Sequence, residues 1–170
     1  GRGDQTVYRK AYGYRAVKPT PEQMTLETVF DLASLTKGIA TATSVMILVE
    51  EGKLRLSDKV VQHLPEFARH DKDQITLRHL LTHTSGLRPS LDLRGDWVGA
   101  DEAVRRAVDE LPQSAPGERF VYSDIGYIIL GEIVARVAGQ PLQTFVQQRI
   151  LDPMRMRSAG FTPISARRDL

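Results

Sequence analysis

Residues 34 to 51 constrain the fold more than any other stretch. Leu35, Ile39, Ala42, Met46 and Val49 recur at helical spacing, and Val45, Ile47 and Leu48 widen the apolar surface past one stripe. A helix of this kind is expected to be covered on most sides. Gly52 follows and should end it as a left-handed cap. The helix opens with Ser34-Leu35-Thr36-Lys37. Residues three apart on a helix share a face, so Ser34 and Lys37 should project together, one turn apart.

The neighbouring segments suggest more helix than strand. Val7 to Tyr14 is rich in strand formers and reads as one strand, and Val29 to Leu32 as an extended approach. Leu54 to Asp58 reads as a turn into a short helix ending at Pro65. Thr76 can cap a helix over Leu77 to His83, with Gly86 closing that segment. Residues 88 to 99 contain Pro89, Gly95 and Gly99 and read as a loop. Asp101 to Leu111 reads as a helix, and Pro112 to Gly117 as a break. Ser123 or Asp124 can cap a helix from Ile125 to Ala138 that Gly139 ends. A last helix is expected over Leu142 to Leu151, before Pro153. The remainder, with Gly160 and Pro163, reads as irregular or as the start of a strand.

Composition excludes several classes of function. The 170 residues include no cysteine, which rules out disulfides, thiolate catalysis and cysteine zinc sites. Net charge is +2 with no basic stripe, so no nucleic-acid partner is expected. The longest aliphatic run, Val45 to Val49, is too short to span a bilayer.

The pair Ser34 and Lys37 has the residue types of an activated nucleophile. A serine hydroxyl is weakly acidic, and a neighbouring amine can take its proton or stabilise its anion. To act as the base, Lys37 needs a pKa below the ordinary value of about 10.4. Burial among Leu32, Leu35 and Ile39 is expected to push it down. The helix N-terminus favours negative charge developing on Ser34. Gly38 should permit close backbone approach. Tyr122 stands just before a helix cap, where its hydroxyl can point into a cleft. Beside a lysine ammonium it can reach the phenolate and serve as a general base.

Three stretches carry a resemblance. Phe30 to Gly38 with Glu50 to Asp58, then Leu80-Leu81-Thr82-His83-Thr84-Ser85-Gly86-Leu87, then Pro116-Gly117 through Tyr122-Ser123-Asp124-Ile125-Gly126-Tyr127, look like the beta-lactamase-related serine hydrolases. That family includes class C beta-lactamases, penicillin-binding proteins, D-alanyl-D-alanine carboxypeptidases and esterases. The resemblance implies a mixed α/β, beta-lactamase/transpeptidase-like fold. This chain would hold mainly its helical region (33–160) beside an incomplete antiparallel sheet (strand region 6–32), in one partial domain. It implies Ser34 as acylated nucleophile, Lys37 as activator and Tyr122 as general base or proton relay. The family usually has asparagine two residues after the tyrosine, touching substrate and lysine. Asp124 stands there, and a carboxylate accepts where an amide donates. It should also hold Lys37 charged more firmly. The Ser-Asp-Asn element of class A enzymes does not fit, because Ile125 occupies the asparagine position.

The family's third motif, Lys-Thr-Gly or His-x-Gly, has no counterpart: no lysine follows Lys72 and no histidine follows His83. The chain is therefore read as a fragment of a longer hydrolase. The resemblance implies a small-molecule or peptide substrate (a beta-lactam, a D-Ala-D-Ala peptide or a small ester), no cofactor or metal, and a periplasmic or secreted location. The alternatives are a penicillin-acylated sensor or pseudoenzyme, or an interaction module. His79 and His83 lie at i and i+4, but a zinc protease would have glutamate where Leu80 stands. Arg2-Gly3-Asp4 and Arg94-Gly95-Asp96 fall in expected loops. Arg105-Arg106 and Arg167-Arg168 read as solvated charge, Trp97 as loop, and Phe120 and Tyr127 as core.

Overall fold

A computed structural model describes residues 1–161. Arg167-Arg168 and the strand start expected near Pro163 lie outside them. The chain divides into two compact units, residues 1–32 with 161, and Ala33–Gly160.

In the first unit, β1 (Tyr14–Ala16) pairs antiparallel with β2 (Glu22–Gln23), Tyr14 opposite Gln23 and Ala16 opposite Glu22. The strand expected over residues 7–14 is thus displaced, and only Tyr14 of it is paired. Val7, Tyr8 and Tyr12 are exposed. Side-chain type confers strand propensity, but a strand exists only where a partner takes its backbone hydrogen bonds. That partner reaches only the stretch after Gly13, whose carbonyl accepts from Met24 N–H at 2.9 Å.

In the second unit, helical geometry starts at residue 35. It runs through a π-helical turn, Lys37–Ala42, directly into α1 (Thr43–Glu50). Ala40, Thr41, Ser44, Val45 and Leu48 are buried, while Leu35, Ile39 and Met46 are exposed. The helix therefore buries one stripe rather than most of its sides. Gly52 (φ 71°) follows its end in the left-handed conformation that glycine adopts without strain.

Two 3-10 segments, Val60–Gln62 and Pro65–Asp71, replace the short helix expected to end at Pro65. Pro65 opens its segment instead, where its missing N–H costs nothing. α2 (Leu77–Leu81) is capped by Thr76, whose Oγ1 accepts from His79 N–H at 3.3 Å. It stops two residues short of His83, which has left the helix at φ 58°. α3 covers Ala100–Val108. Lys72, a fully buried lysine, donates to the last carbonyl of α3, Val108 O, and at 2.6 Å to Glu110 O just beyond it.

α4 (Asp124–Ala138) is the centre of the core, with Ile125, Ile129, Leu130, Ile133 and Val134 all buried. Val45, Leu48, Phe67, Leu77, Leu80 and Ala107 join them in one cluster. Ser123 is its N-cap: Oγ accepts from Gly126 N–H at 3.3 Å and donates to Arg88 O at 2.6 Å. Gly139 (φ 67°) ends it. α5 (Leu142–Val146) continues as a second π-helical turn, Gln147–Leu151. Ala40 of the first π turn packs in a small cluster with Val146, Ile150 and Leu151. Among the described residues no single helix is long and apolar enough to cross a membrane.

Candidate active site

Two helix N-termini bring the chemistry together. Ser34 and Lys37 open the first helix, and Tyr122, Ser123 and Asp124 open α4. Lys37 Nζ donates to Ser34 Oγ at 3.1 Å and pairs with Asp124 Oδ1 at 2.6 Å. Lys37 Nζ stands 5.0 Å from the centroid of the Tyr122 ring, and Ser34 and Lys37 both lie close enough to the phenol to lower its pKa. The ammonium has three protons to give, and Ser34, Asp124 and Tyr122 around it. All four residues picked out in the sequence thus meet at one point.

The electrostatics reverse one expectation. Burial does act to lower the Lys37 pKa. Hydrogen bonds and charge from Asp124 and Tyr122 outweigh it, and the net shift is upward. Leu35 and Ile39 are exposed and give little shielding. Lys37 is therefore an ammonium at neutral pH, unsuited to be a base and suited to stabilise an anion. Tyr122 moves the other way. Hydrogen bonds from Ser34 and from Lys37 hold its phenol below the ordinary value. Gly38 does not serve close approach, since a side chain there would meet nothing within 4 Å.

The sequence placed His83 in a stretch that carries the family resemblance and set it aside as a metal ligand, without a role at the site. Its ring instead lies against Tyr122, with centroids 4.5 Å apart, and against Tyr127 at 5.1 Å. Phe120, expected in the core, is exposed and meets His83 edge-on at 5.8 Å. Tyr127 is half-buried against the core, its hydroxyl donating to Leu81 O at 3.2 Å. The usable signal was the His83-Thr84-Ser85-Gly86 stretch. Gly86 (φ 81°) is a required glycine, because a Cβ there would sit 2.1 Å from Ser114 O. No group of three or more His, Asp or Glu among the described residues is placed to hold a metal ion. Trp97 packs partly against the core and donates to Asp92 O at 3.3 Å.

The Beta-lactamase family model matches residues 1–169. The chain belongs to the beta-lactamase family. Within that family, Esterase EstB of Burkholderia gladioli is 35% identical over 181 residues, covering 94% of this chain and 45% of the esterase. An N-acetylmuramyl-L-alanine amidase of Bacillus subtilis is 32% identical over 170 residues, covering 92% of this chain and 38% of the amidase. The structure of an octameric penicillin-binding protein homologue from Pyrococcus abyssi superposes with a TM-score of 0.72. It is 35% identical, covering 89% of this chain and 36% of that one. The fold is of the beta-lactamase/transpeptidase type, rich in helix, with a small two-stranded antiparallel sheet. The chain spans 38 to 45% of the length of the curated relatives it matches.

Proposed function

We propose that this chain carries the acyl-transfer residues of a serine hydrolase, with residues 6–32 and 33–160 as two parts of one hydrolase domain. Ser34 Oγ bonds to the substrate's carbonyl carbon while Tyr122, as phenolate, takes the hydroxyl proton. The adduct collapses, the carbonyl–nitrogen or carbonyl–oxygen bond breaks, and Tyr122 passes the proton to the leaving group. Water then attacks the Ser34 ester by the same route and releases the acid. Lys37 stays charged throughout and stabilises the anionic forms of Ser34 and Tyr122. The observation that carries this reading is the Lys37–Ser34 hydrogen bond at 3.1 Å beside the Tyr122 ring, 5.0 Å from the same ammonium. The relatives named above, an esterase, an amidase and a penicillin-binding protein homologue, support the reaction class. Candidate substrates are a beta-lactam, a D-Ala-D-Ala peptide or a small ester.

The test is a time course of intact mass on the full-length protein after one equivalent of beta-lactam or fluorophosphonate, followed by peptide mapping. Label is expected on Ser34 alone, and with a hydrolysable ester the mass should return to its starting value. Label on Ser85 or Ser123 removes Ser34 as nucleophile. An adduct that persists with every substrate supports a penicillin-acylated sensor instead.

Asp124 is proposed to contact the substrate through its exposed carboxylate, as well as holding Lys37. Where an amide donates a hydrogen bond, a carboxylate only accepts one. Asp124→Asn is therefore expected to change the preference between a D-Ala-D-Ala peptide and an activated ester by about 10- to 100-fold, the worth of a charged hydrogen bond. The readout is the ratio of their kcat/KM values. An equal loss for both would limit Asp124 to holding Lys37.

A further inference from the structure

Both backbone amides that flank Tyr122 are held by one residue. Val121 N–H donates to His83 O at 2.8 Å, and Ser123 N–H donates to His83 Nδ1 at 3.0 Å. The same imidazole lies against the Tyr122 ring, tilted by 33°. On its other neighbour, Tyr127, it is tilted by 30°. Main chain and ring of Tyr122 are thus fixed from one side chain and one carbonyl.

We propose that His83 is a positioning residue for Tyr122, and that it holds the tyrosine in reach of Ser34 only while its imidazole is neutral. To accept from Ser123, Nδ1 must be unprotonated, so the ring proton sits on Nε2. A second proton puts an N–H where the acceptor was. The imidazolium then opposes the Ser123 amide, and the clamp is lost on that side. It also places a second cation near Lys37. The charged and titratable groups around the ring are Lys37 from the first helix, Asp124 from the first turn of α4, and Tyr122 and Tyr127. Burial and then Lys37 lower the imidazole pKa, with Asp124 opposing. The neutral ring therefore persists to below about pH 6.5, the ordinary value. The clamp is fully present above that and is lost as pH falls through the lowered pKa. This role rests on Tyr122 being the general base proposed above.

Two measurements on the full-length protein test the clamp. The first is log(kcat/KM) for an activated ester against pH. A phenolate base alone gives a slope of one below its pKa, about tenfold per pH unit. Loss of the clamp adds a second unit of slope below the imidazole pKa. His83→Asn keeps an acceptor, tolerates φ 58° and does not titrate in this range. Without the ring contact its activity should fall, but its profile should show a slope of one throughout. His83→Phe keeps the ring contact but not the acceptor, and should lower kcat by about 10- to 100-fold with KM little changed. A slope that still doubles in His83→Asn overturns the proposal. So does unchanged kcat in His83→Phe.

The second measurement needs no activity and no variant. In the 15N-labelled protein the Ser123 amide shift should titrate with the same midpoint as the His83 imidazole. An amide that ignores that titration overturns the clamp. Absence of any acylation at Ser34 would sink the hydrolase reading separately, leaving the clamp to be judged by the amide titration.

Discussion

Lys37→Ala should slow acylation of Ser34 by at least about 1,000-fold in the full-length protein. The upper end of what one oxyanion donor contributes is of that size, and Lys37 serves more than one anion. Its ammonium donates to Ser34 Oγ, pairs with Asp124 and lowers the phenol of Tyr122. Removing it leaves the alkoxide without a cation, raises the Tyr122 pKa and abandons the Asp124 carboxylate. Lys37→Arg should recover little, because a planar guanidinium cannot aim at three acceptors in different directions as a rotating ammonium can. The measurement is single-turnover mass gain with an activated ester, with the thermal midpoint followed as a folding control. Acylation within tenfold of the unmutated rate would remove Lys37 from the mechanism.

Tyr122→Phe should lower steady-state turnover by about 100- to 10,000-fold, the usual size of a general-base contribution. The variant keeps the ring beside His83 and the Lys37–ring contact at 5.0 Å, so the loop should stay in place. Only the proton acceptor goes. Deacylation should suffer most, since a water must be activated at the ester and the Asp124 carboxylate beside it is paired with Lys37. The Ser34 ester should then accumulate and become visible by mass. A variant that turns over normally would pass the role of base to another group.

The helix ends were the most legible part of the sequence. Ser123, Thr76, Gly52 and Gly139 act as caps where their types predict, because caps are local chemistry. The Ser34–Lys37 pair was legible from its one-turn spacing, whereas its meeting with Tyr122 and Asp124 was legible through family resemblance. What the sequence hid depends on partners distant along the chain. The strand over residues 7–14 could not be placed without knowing that residues 22–23 pair after Gly13 rather than before it. For Lys37, apolar neighbours along the chain pointed to a lowered pKa and Asp124, placed by the resemblance, to a firmly charged lysine, and the second prevails. The real surroundings of Lys37 are Asp124 and Tyr122, more than 80 positions away. The role of His83 was hidden for the same reason, since its aromatic neighbours Tyr122 and Tyr127 lie about 40 positions further along the chain.

The π-helical turn after Lys37 works as a phase shifter. Each residue of an α-helix advances the chain by about 100°. A π turn accommodates one extra residue without moving what lies on either side. The stripe through Ser44, Val45 and Leu48 can thus keep its register in the core while Ser34 and Lys37 take a different compass bearing. Aim and anchorage are two separate settings on one rod. Exchanges of side chain can adjust either setting alone, and losing a single residue between positions 37 and 42 would close the π turn to an α turn with the nucleophile still facing α4. The same loss within Thr43–Glu50, where there is no such slack, would turn the nucleophile about a quarter circle relative to the core.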